Sequence, residues 1–190
     1  MPRAGLAPAA VIEAGAELAD EVGLDNLTMG LLAERLGVRT PSLYKHVESL
    51  DALRRGIGIR AKQEFAVALA RAAVGQSGPG AVHAFAAAFR RWVLDHPGRY
   101  AASLRAPEAG DEEDQRVSDE SVQILFDVLA GFGLPESRSV DAARALRAAL
   151  HGFATLEAAG GFGLSRDVGE SYRYMVDALV AGFQAGHVTA

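Results

Sequence analysis

The sequence has no cysteine and no long apolar run, and both absences exclude classes of protein. Without cysteine, the 190-residue chain can form no disulfide and no thiolate metal site. No apolar run approaches the roughly 20 residues that a membrane-spanning helix needs. The first ten residues carry one arginine and lack the apolar core and cleavage pattern of a signal peptide, so we expect a cytoplasmic protein.

Catalytic and metal-binding motifs are also missing from the sequence. His83, His96 and His151 lie far apart, and no HxxxH or HxxE spacing places two ligands on one helical face. No GxSxG, P-loop or dinucleotide-binding glycine pattern is present. We therefore expect neither an enzyme nor a bound metal or cofactor.

What the sequence does contain is helical periodicity interrupted by proline and glycine, without a strand pattern, which predicts an all-α fold. Four helices are predicted in the first part of the chain: Pro8 to Gly23, Met29 to Leu36 capped by Thr28, a short helix with Thr40 as cap and Pro41 at its first position, and one from the cap Ser49 to about Val74.

The glycine-rich segment 75–80 interrupts this pattern, and four longer helices are predicted after it. They cover about residues 80–96, 117–131, 139–159 and 166–186. Residues 99–114 are less regular, and their acidic run at 111–114 is typical of a solvated loop or a helix start.

The charge distribution favours a nucleic-acid partner in spite of a formal net charge of -5. Residues 34–62, here called the basic segment, hold seven Lys or Arg against three acidic residues. A basic island in an acidic chain is expected when one face meets phosphate. A solvated helix face with several basic residues is the alternative interpretation.

Residues 29–47 satisfy the steric requirements of a DNA-reading helix pair. Ala33 is small where the two helices cross, and Gly37 has no Cβ to strain the turn. Leu32, Leu36, Val38, Leu43 and Val47 can pack against Val11, Leu18 and Val22 of the first helix. The outward residues that remain suit a major groove bordered by phosphates: Arg39, Thr40, Pro41, Ser42, Tyr44, Lys45 and His46.

This region contains the strings LAERLGV from Leu32, PSLYKHV from Pro41 and LDAL from Leu50. Together they closely resemble the N-terminal domain of the tetracycline-repressor (TetR) family. The resemblance covers about residues 8–55. It implies that Thr28 and Tyr44 contact phosphate oxygens. It also implies that the groove is faced by Arg39, Thr40, Pro41, Ser42, Lys45 and His46. Tyr44 as a core aromatic and His46 as a helix C-cap are the alternatives.

The sequence departs from the family pattern at two positions. Many members place a lysine where this chain has Leu50 and use it as a backbone contact, so that phosphate clamp is missing here. Arg54 or Arg55, one turn further, could partly replace it. Gly30 likewise has no side chain where some members place a basic contact.

The second part of the chain resembles the C-terminal domain of one TetR branch, which is marked by a Trp followed shortly by His-Gly. His151-Gly152 is present, but no Trp lies nearby. The resemblance implies a homodimer whose last two long helices form the seam, and the spacing is equally consistent with an internal core. The candidate seam residues are Leu146, Leu150, Phe153, Leu156, Tyr172, Met175, Val176, Leu179, Val180 and Phe183.

A small-molecule pocket is expected among the central helices, since apolar pockets with a few polar groups are the usual ligand sites. Its candidate residues, each of which could instead be plain core, are Phe85, Phe89, Trp92, Tyr100, Phe126, His151 and Phe153. We expect a DNA-binding domain over residues 1–54 and a ligand-binding and dimerisation domain over 55–190. The predicted function is a ligand-responsive transcriptional regulator, by family default a repressor that a small molecule releases from its operator. The alternative is a helical protein-interaction module.

Overall fold

A computed structural model describes residues 6–186, apart from the side-chain environment of Gly186. In these residues helices are joined by turns and loops, and no strand is present. The prediction of an all-α fold is therefore confirmed. The helices within the described part are α1 Pro8–Val22, α2 Met29–Leu36, α3 Thr40–Leu43, α4 Leu50–Ala73, α5 Gly78–Asp95, α6 Pro97–Ser103, α7 Glu112–Leu129, α8 Glu136–Ala158 and α9 Val168–Gly186. Short 3-10 turns occupy Leu24–Asn26 and Ala130–Phe132.

The predicted helix caps form as expected at two of three positions. The Thr28 Oγ1 accepts a hydrogen bond from the Leu31 N–H at 3.2 Å, and the Ser49 Oγ accepts one from Ala52 at 3.0 Å. Thr40 is the first residue of α3 and not its cap, which is a correction of the predicted start. Arg39 occupies the cap position with extended backbone and makes no side-chain capping bond there.

Helix α6 is the element that the sequence pattern did not predict. The helix predicted over about residues 80–96 ends at Asp95, but Pro97 then begins a further helix, because its fixed φ suits a first turn that needs no N–H donor. Helix α7 begins at Glu112, so the acidic run is a helix start and not a free loop.

The described residues form two compact units. The first unit comprises residues up to 64 together with 95–117, and the second comprises 65–94 together with those from 118 onward. This division does not coincide with a boundary after residue 54, because the first part of α4, all of α6 and the start of α7 belong to the first unit.

The first unit is built around α1, which packs against both α2 and α6. Its core contains the apolar residues expected to support the helix pair, with Val11, Leu32 and Leu43 fully buried. Leu36, Val38 and Val22 are partly buried against this core. Burial of these side chains stabilises the unit, at about 1.5–3 kcal/mol for each large apolar side chain removed from water.

The second unit has its own core, in which α8 packs against α9. The Tyr172 hydroxyl donates to the Ala86 carbonyl oxygen at 2.7 Å, which joins α9 to α5. Its buried side chains include Phe85, Phe89, Trp92, Phe132, Leu146, Leu150, Val176, Val180 and Phe183.

Candidate nucleic-acid interface

The turn between α2 and α3 has the geometry expected of a tight helix pair. Gly37 adopts the left-handed conformation with φ of 64°, which L side chains rarely adopt. Its N–H donates to the Glu34 carbonyl at 3.0 Å, and the Val38 N–H donates to the Ala33 carbonyl at 3.0 Å. This pair of bonds is a Schellman motif, which ends α2 and fixes the direction in which α3 leaves it.

Helix α3 is shorter than predicted, because it ends at Leu43 and a turn follows over residues 44–46. The Val47 N–H still donates to the Leu43 carbonyl at 3.0 Å, so the turn continues the helical course. Leu43 is fully buried and anchors the segment in the core of the first unit. Tyr44, Lys45 and His46 therefore project from a turn that a buried leucine holds in place.

The eight predicted contact residues lie within the first unit, and most of them face solvent. Arg39, Pro41, Tyr44 and Lys45 are exposed, as is Thr28, while Thr40, Ser42 and His46 are half-buried. Tyr44 is 52% exposed, which disfavours its interpretation as a core aromatic. The Thr28 hydroxyl accepts its capping bond and keeps its own hydrogen for a further acceptor. That these residues contact DNA stays a prediction.

The basic segment differs most from its sequence-based interpretation, because carboxylates from outside the segment pair with its cations. Arg35 lies on α2 and donates from Nη1 to Glu21 at 2.7 Å and from Nη2 to the same carboxylate at 2.9 Å. Glu17 lies 3.4 Å from the same guanidinium. The hydrogen bonds from Arg35 lower the pKa of Glu21.

Arg54 and Arg55, the suggested replacements for the missing phosphate clamp, both bind other residues of the first unit. Arg54 donates from Nη2 to the Leu24 carbonyl at 3.3 Å. Arg55 donates from Nη2 to Asp111 Oδ1 at 2.6 Å and also pairs with Glu113 at 3.4 Å. The Arg55 guanidinium lowers the pKa of Asp111 to about 2. The suggested replacement is therefore not supported.

Leu50 has a structural role in place of the lysine that many family members carry. It is partly buried against the core of the first unit and packs there as an apolar side chain. A charged ammonium at this position would have to be held away from the core, so the substitution exchanges a potential phosphate contact for packing.

The last two cations of the basic segment, Arg60 and Lys62, lie on α4 and pair with carboxylates. Arg60 pairs with Glu13 and, from Nε at 2.7 Å, with Glu64. Lys62 is buried, and its Nζ donates to Asp114 Oδ1 at 2.6 Å and to the Arg105 carbonyl at 2.9 Å. Asp114 belongs to the acidic run at the start of α7, so two charges that are 52 positions apart in the sequence neutralise one another.

Arg39 and Lys45 are thus the two cations of the basic segment that make neither an ion pair nor a side-chain hydrogen bond with any residue of the described part of the chain, since Arg54, which also lacks a carboxylate partner, donates to a backbone carbonyl. Both are exposed, Arg39 at the cap position of α3 and Lys45 in the turn after that helix. The count of seven basic residues therefore overstates the positive charge that this region presents to a partner.

The seven predicted ligand-binding residues are not all in one unit. Tyr100 lies on α6 in the first unit, whereas the other six belong to the second unit. Phe89 meets Phe65 edge-on with centroids 5.1 Å apart, and Trp92 lies 4.7 Å from the same ring. Phe85 and Phe89 are 6.3 Å apart. Phe126, His151 and Phe153 are half-buried.

Phe153 belongs to a second aromatic cluster, with Tyr172 at 5.0 Å and Phe162 at 4.6 Å. Arg90 lies over the Tyr172 ring at 5.3 Å and pairs with Glu157. A separate open groove in the second unit is lined by Pro79, Ala130, Gly131, Phe132, Gly133 and Gln184, none of which was among the predicted ligand-binding residues. The ligand-binding set stays a prediction.

The candidate seam residues on α8 and α9 differ in how deeply they are buried. Six of them are buried in the second unit and form its internal core: Leu146, Leu150, Tyr172, Val176, Val180 and Phe183. An internal core is the alternative that the helical spacing of these residues left open in the sequence. Phe153, Met175 and Leu179 are half-buried, and Leu156 is exposed.

The described residues, 6–186, lack two kinds of feature. They contain no group of three or more His, Asp or Glu side chains placed to hold a metal ion. None of their helices is long and apolar enough to cross a membrane.

Comparison with known proteins gives matches over both parts of the chain. Residues 11–55 match the family model described as bacterial regulatory proteins, tetR family, and residues 82–179 match a model described as tetracyclin repressor-like, C-terminal domain. An uncharacterized HTH-type transcriptional regulator of Mycobacterium tuberculosis is 36% identical over 158 residues, which are 83% of this chain and 72% of the relative.

Solved structures match almost the whole chain. A TetR variant from Acinetobacter baumannii in complex with minocycline is 25% identical with a TM-score of 0.71, over 95% of this chain and 98% of that one. BioQ with its double-stranded DNA operator has a TM-score of 0.66 at 22% identity, over 95% of this chain and 99% of that one, and this likeness concerns the fold alone.

Proposed function

The chain belongs to the TetR family of ligand-responsive, DNA-binding transcriptional regulators, and we propose on this basis that it binds an operator through the first unit and releases it when a small molecule binds the second. The observation that carries the proposal is the exposed segment after Gly37, where Tyr44 and Lys45 project from a turn anchored by Leu43. A hydroxyl-bearing aromatic and a cation beside a short helix suit phosphates and base edges.

The proposed contact set consists of phosphate contacts and groove contacts. Thr28 and Tyr44 carry hydroxyls that can donate to phosphate oxygens. The groove-facing members are Arg39, Thr40, Pro41, Ser42, Lys45 and His46. Apart from Pro41, these outward residues are polar or cationic, so a protein-binding hairpin, the alternative function, is not favoured. A regulator that binds chromosomal DNA would act in the bacterial cytoplasm.

The test begins with a duplex recovered by selection from a random pool with the purified protein. Tyr44→Phe removes one phosphate-contacting hydroxyl and Lys45→Ala one groove-facing cation, and each should weaken binding of that duplex about tenfold because one contact per chain is lost. Arg166→Ala, an exposed cation of the second unit, is the control. Unchanged affinity of both variants, with helix content retained, would contradict the proposed contact set.

We propose that two copies pair through faces of α8 and α9 that share only Leu156 with the predicted seam. The exposed or half-exposed face of α8 carries Ala145, Ala148, Gly152 and Leu156, and that of α9 carries Tyr174, Ala178 and Gly182. Spacings of three and four place each set on one side of its helix. A Cβ at Gly152 or Gly182 would meet no atom within 4 Å, so these faces can be approached closely.

The dimer is tested by sedimentation of the full chain at micromolar concentration. Ala178→Glu places a charge on the proposed interface and should shift the protein toward monomer. Asp177→Glu, a neighbouring exposed position, is the matched control, since it keeps the charge already present. A stable wild-type monomer, or a dimer that Ala178→Glu leaves unchanged, would overturn this interface.

The effector is proposed to be a small, largely apolar molecule bound near the aromatic residues of the second unit. Trp92 is the only tryptophan of the chain, so its fluorescence reports directly on that region. A compound that releases the selected duplex should also shift the Trp92 emission, and Phe89→Ala should weaken both effects together. Release without any change at Trp92 would place the effector elsewhere.

A further inference from the structure

We infer that Arg39 and Lys45 alone supply the ionic part of DNA binding from the basic segment, and that its other five cations are structural. The inference rests on the proposed DNA-binding function and states how the same interface recognises its partner. Arg39 and Lys45 are exposed and make no ion pair within the described residues. Every other cation of the segment has a partner in the first unit.

The carboxylates around the paired cations would repel an approaching DNA phosphate. Arg35 faces two carboxylates, Glu17 and Glu21, and so belongs to a group of net charge -1. Arg55 likewise faces both Asp111 and Glu113. An approaching phosphate would meet the surplus carboxylate as well as the guanidinium, and breaking the ion pair to reach it would leave that acid without its partner.

The remaining cations are further restricted by burial and geometry. Lys62 is buried against Asp114 and the Arg105 carbonyl, so its ammonium cannot reach a ligand at the surface. Arg60 lies among Glu13 and Glu64, which also bind Arg99. Arg54 carries no carboxylate partner, but its Nε is buried and its guanidinium is directed to a backbone carbonyl.

This distribution predicts a shallow salt dependence. Each phosphate neutralised lowers the slope of log K against log salt by about 0.9. Two groove-facing cations that each neutralise one phosphate at the groove edge therefore give about -1.8 per bound chain, whereas seven would give about -6.3. For a dimer, affinity should fall about 150-fold between 50 and 200 mM salt. Because non-specific binding depends almost entirely on phosphate charge, binding to unrelated duplex should be weak at physiological salt.

The experiment measures fluorescence anisotropy of the selected duplex from 50 to 400 mM salt, with stoichiometry determined in parallel. Lys45→Gln should reduce the slope by about 0.9 per chain, and Lys45→Arg should restore it. The matched control is the double variant Arg55→Gln with Asp111→Asn, which removes a paired cation and its anion together and should leave the slope unchanged.

The outcomes separate this inference from the function on which it rests. If no duplex is selected at any salt concentration, the DNA-binding proposal fails. If the duplex binds with a slope steeper than about -3 per chain, or if the double variant changes the slope as much as Lys45→Gln does, the inference is overturned. An unchanged slope in Lys45→Gln would also contradict it. A slope near -1.8 that depends on Lys45 supports it.

Discussion

Lys62 and Asp114 form a buried ion pair in the first unit, and removing one partner should destabilise the protein strongly. Both side chains are 8% exposed, and the Nζ to Oδ1 distance is 2.6 Å. Lys62→Met keeps most of the side-chain volume and removes the charge, so Asp114 is left without its cation in a site that excludes most water. Breaking a buried pair in this way costs about 3–5 kcal/mol, and we expect Lys62→Met to fall in that range.

The double variant Lys62→Met with Asp114→Leu separates the charge effect from packing. Replacing both charges with apolar groups removes the uncompensated acid, so stability should return to within about 2 kcal/mol of wild type. The remaining loss has two sources: the Arg105 carbonyl loses its donor, and the start of α7 loses a favourable acidic side chain. The coupling energy of the cycle should therefore exceed about 2 kcal/mol.

The assay is urea unfolding followed by circular dichroism, at one fixed protein concentration because a dimer would make stability depend on concentration. Arg166→Met is the matched control, since Arg166 and Glu170 form an exposed pair at 3.6 Å with side chains 71% and 52% exposed. That change should cost less than about 0.5 kcal/mol. A loss below about 1 kcal/mol for Lys62→Met, or a coupling energy near zero, would refute the reasoning.

Two further predictions concern the first unit. Gly98→Ala should lower the free energy of unfolding in urea by about 3 kcal/mol, because the new Cβ would lie 2.0 Å from the Ala19 carbonyl oxygen. Gly30→Ala creates no such clash and is the control. Equal losses of stability in the two variants would contradict the argument. The Asp111 pKa of about 2 means that its pairing with Arg55 stabilises the fold above about pH 4 and is lost as the pH falls toward 2. Arg55→Gln should therefore reduce the acid dependence of the urea midpoint between pH 4 and 2, and parallel wild-type and variant profiles would argue against it.

The elements that could be predicted from the sequence depend on near neighbours in the chain. Thr28 and Ser49 cap helices because their side chains reach N–H groups three residues on, and Gly37 ends α2 because its own backbone allows a positive φ. The apolar spacing that buries Leu32 and Leu43 is likewise a property of one short segment. Such signals are complete within a few residues, so α2 and the turn that ends it were predicted correctly, whereas the start and the end of α3 were not.

Other features depend on which segments meet in space, and these only the tertiary structure decided. Pro97 can end one helix and begin another, and the close packing of Gly98 against Ala19 accompanies the second outcome. The spacing on α8 and α9 predicted an apolar face for Leu146 and Val176 but not whether that face is core or interface. Periodicity identifies a buried side of a helix and does not identify the surface that covers it.

The charge of the basic segment illustrates the same division. The sequence by itself determined that seven cations lie between residues 34 and 62 and that Arg39 and Lys45 flank the predicted reading helix. Only the tertiary structure decided that Arg55 meets Asp111 and that Lys62 meets Asp114. Coulomb energy depends on distance through space and on burial, not on separation along the chain. A local excess of positive charge in a sequence can therefore be cancelled in the fold by carboxylates that lie more than 50 residues away.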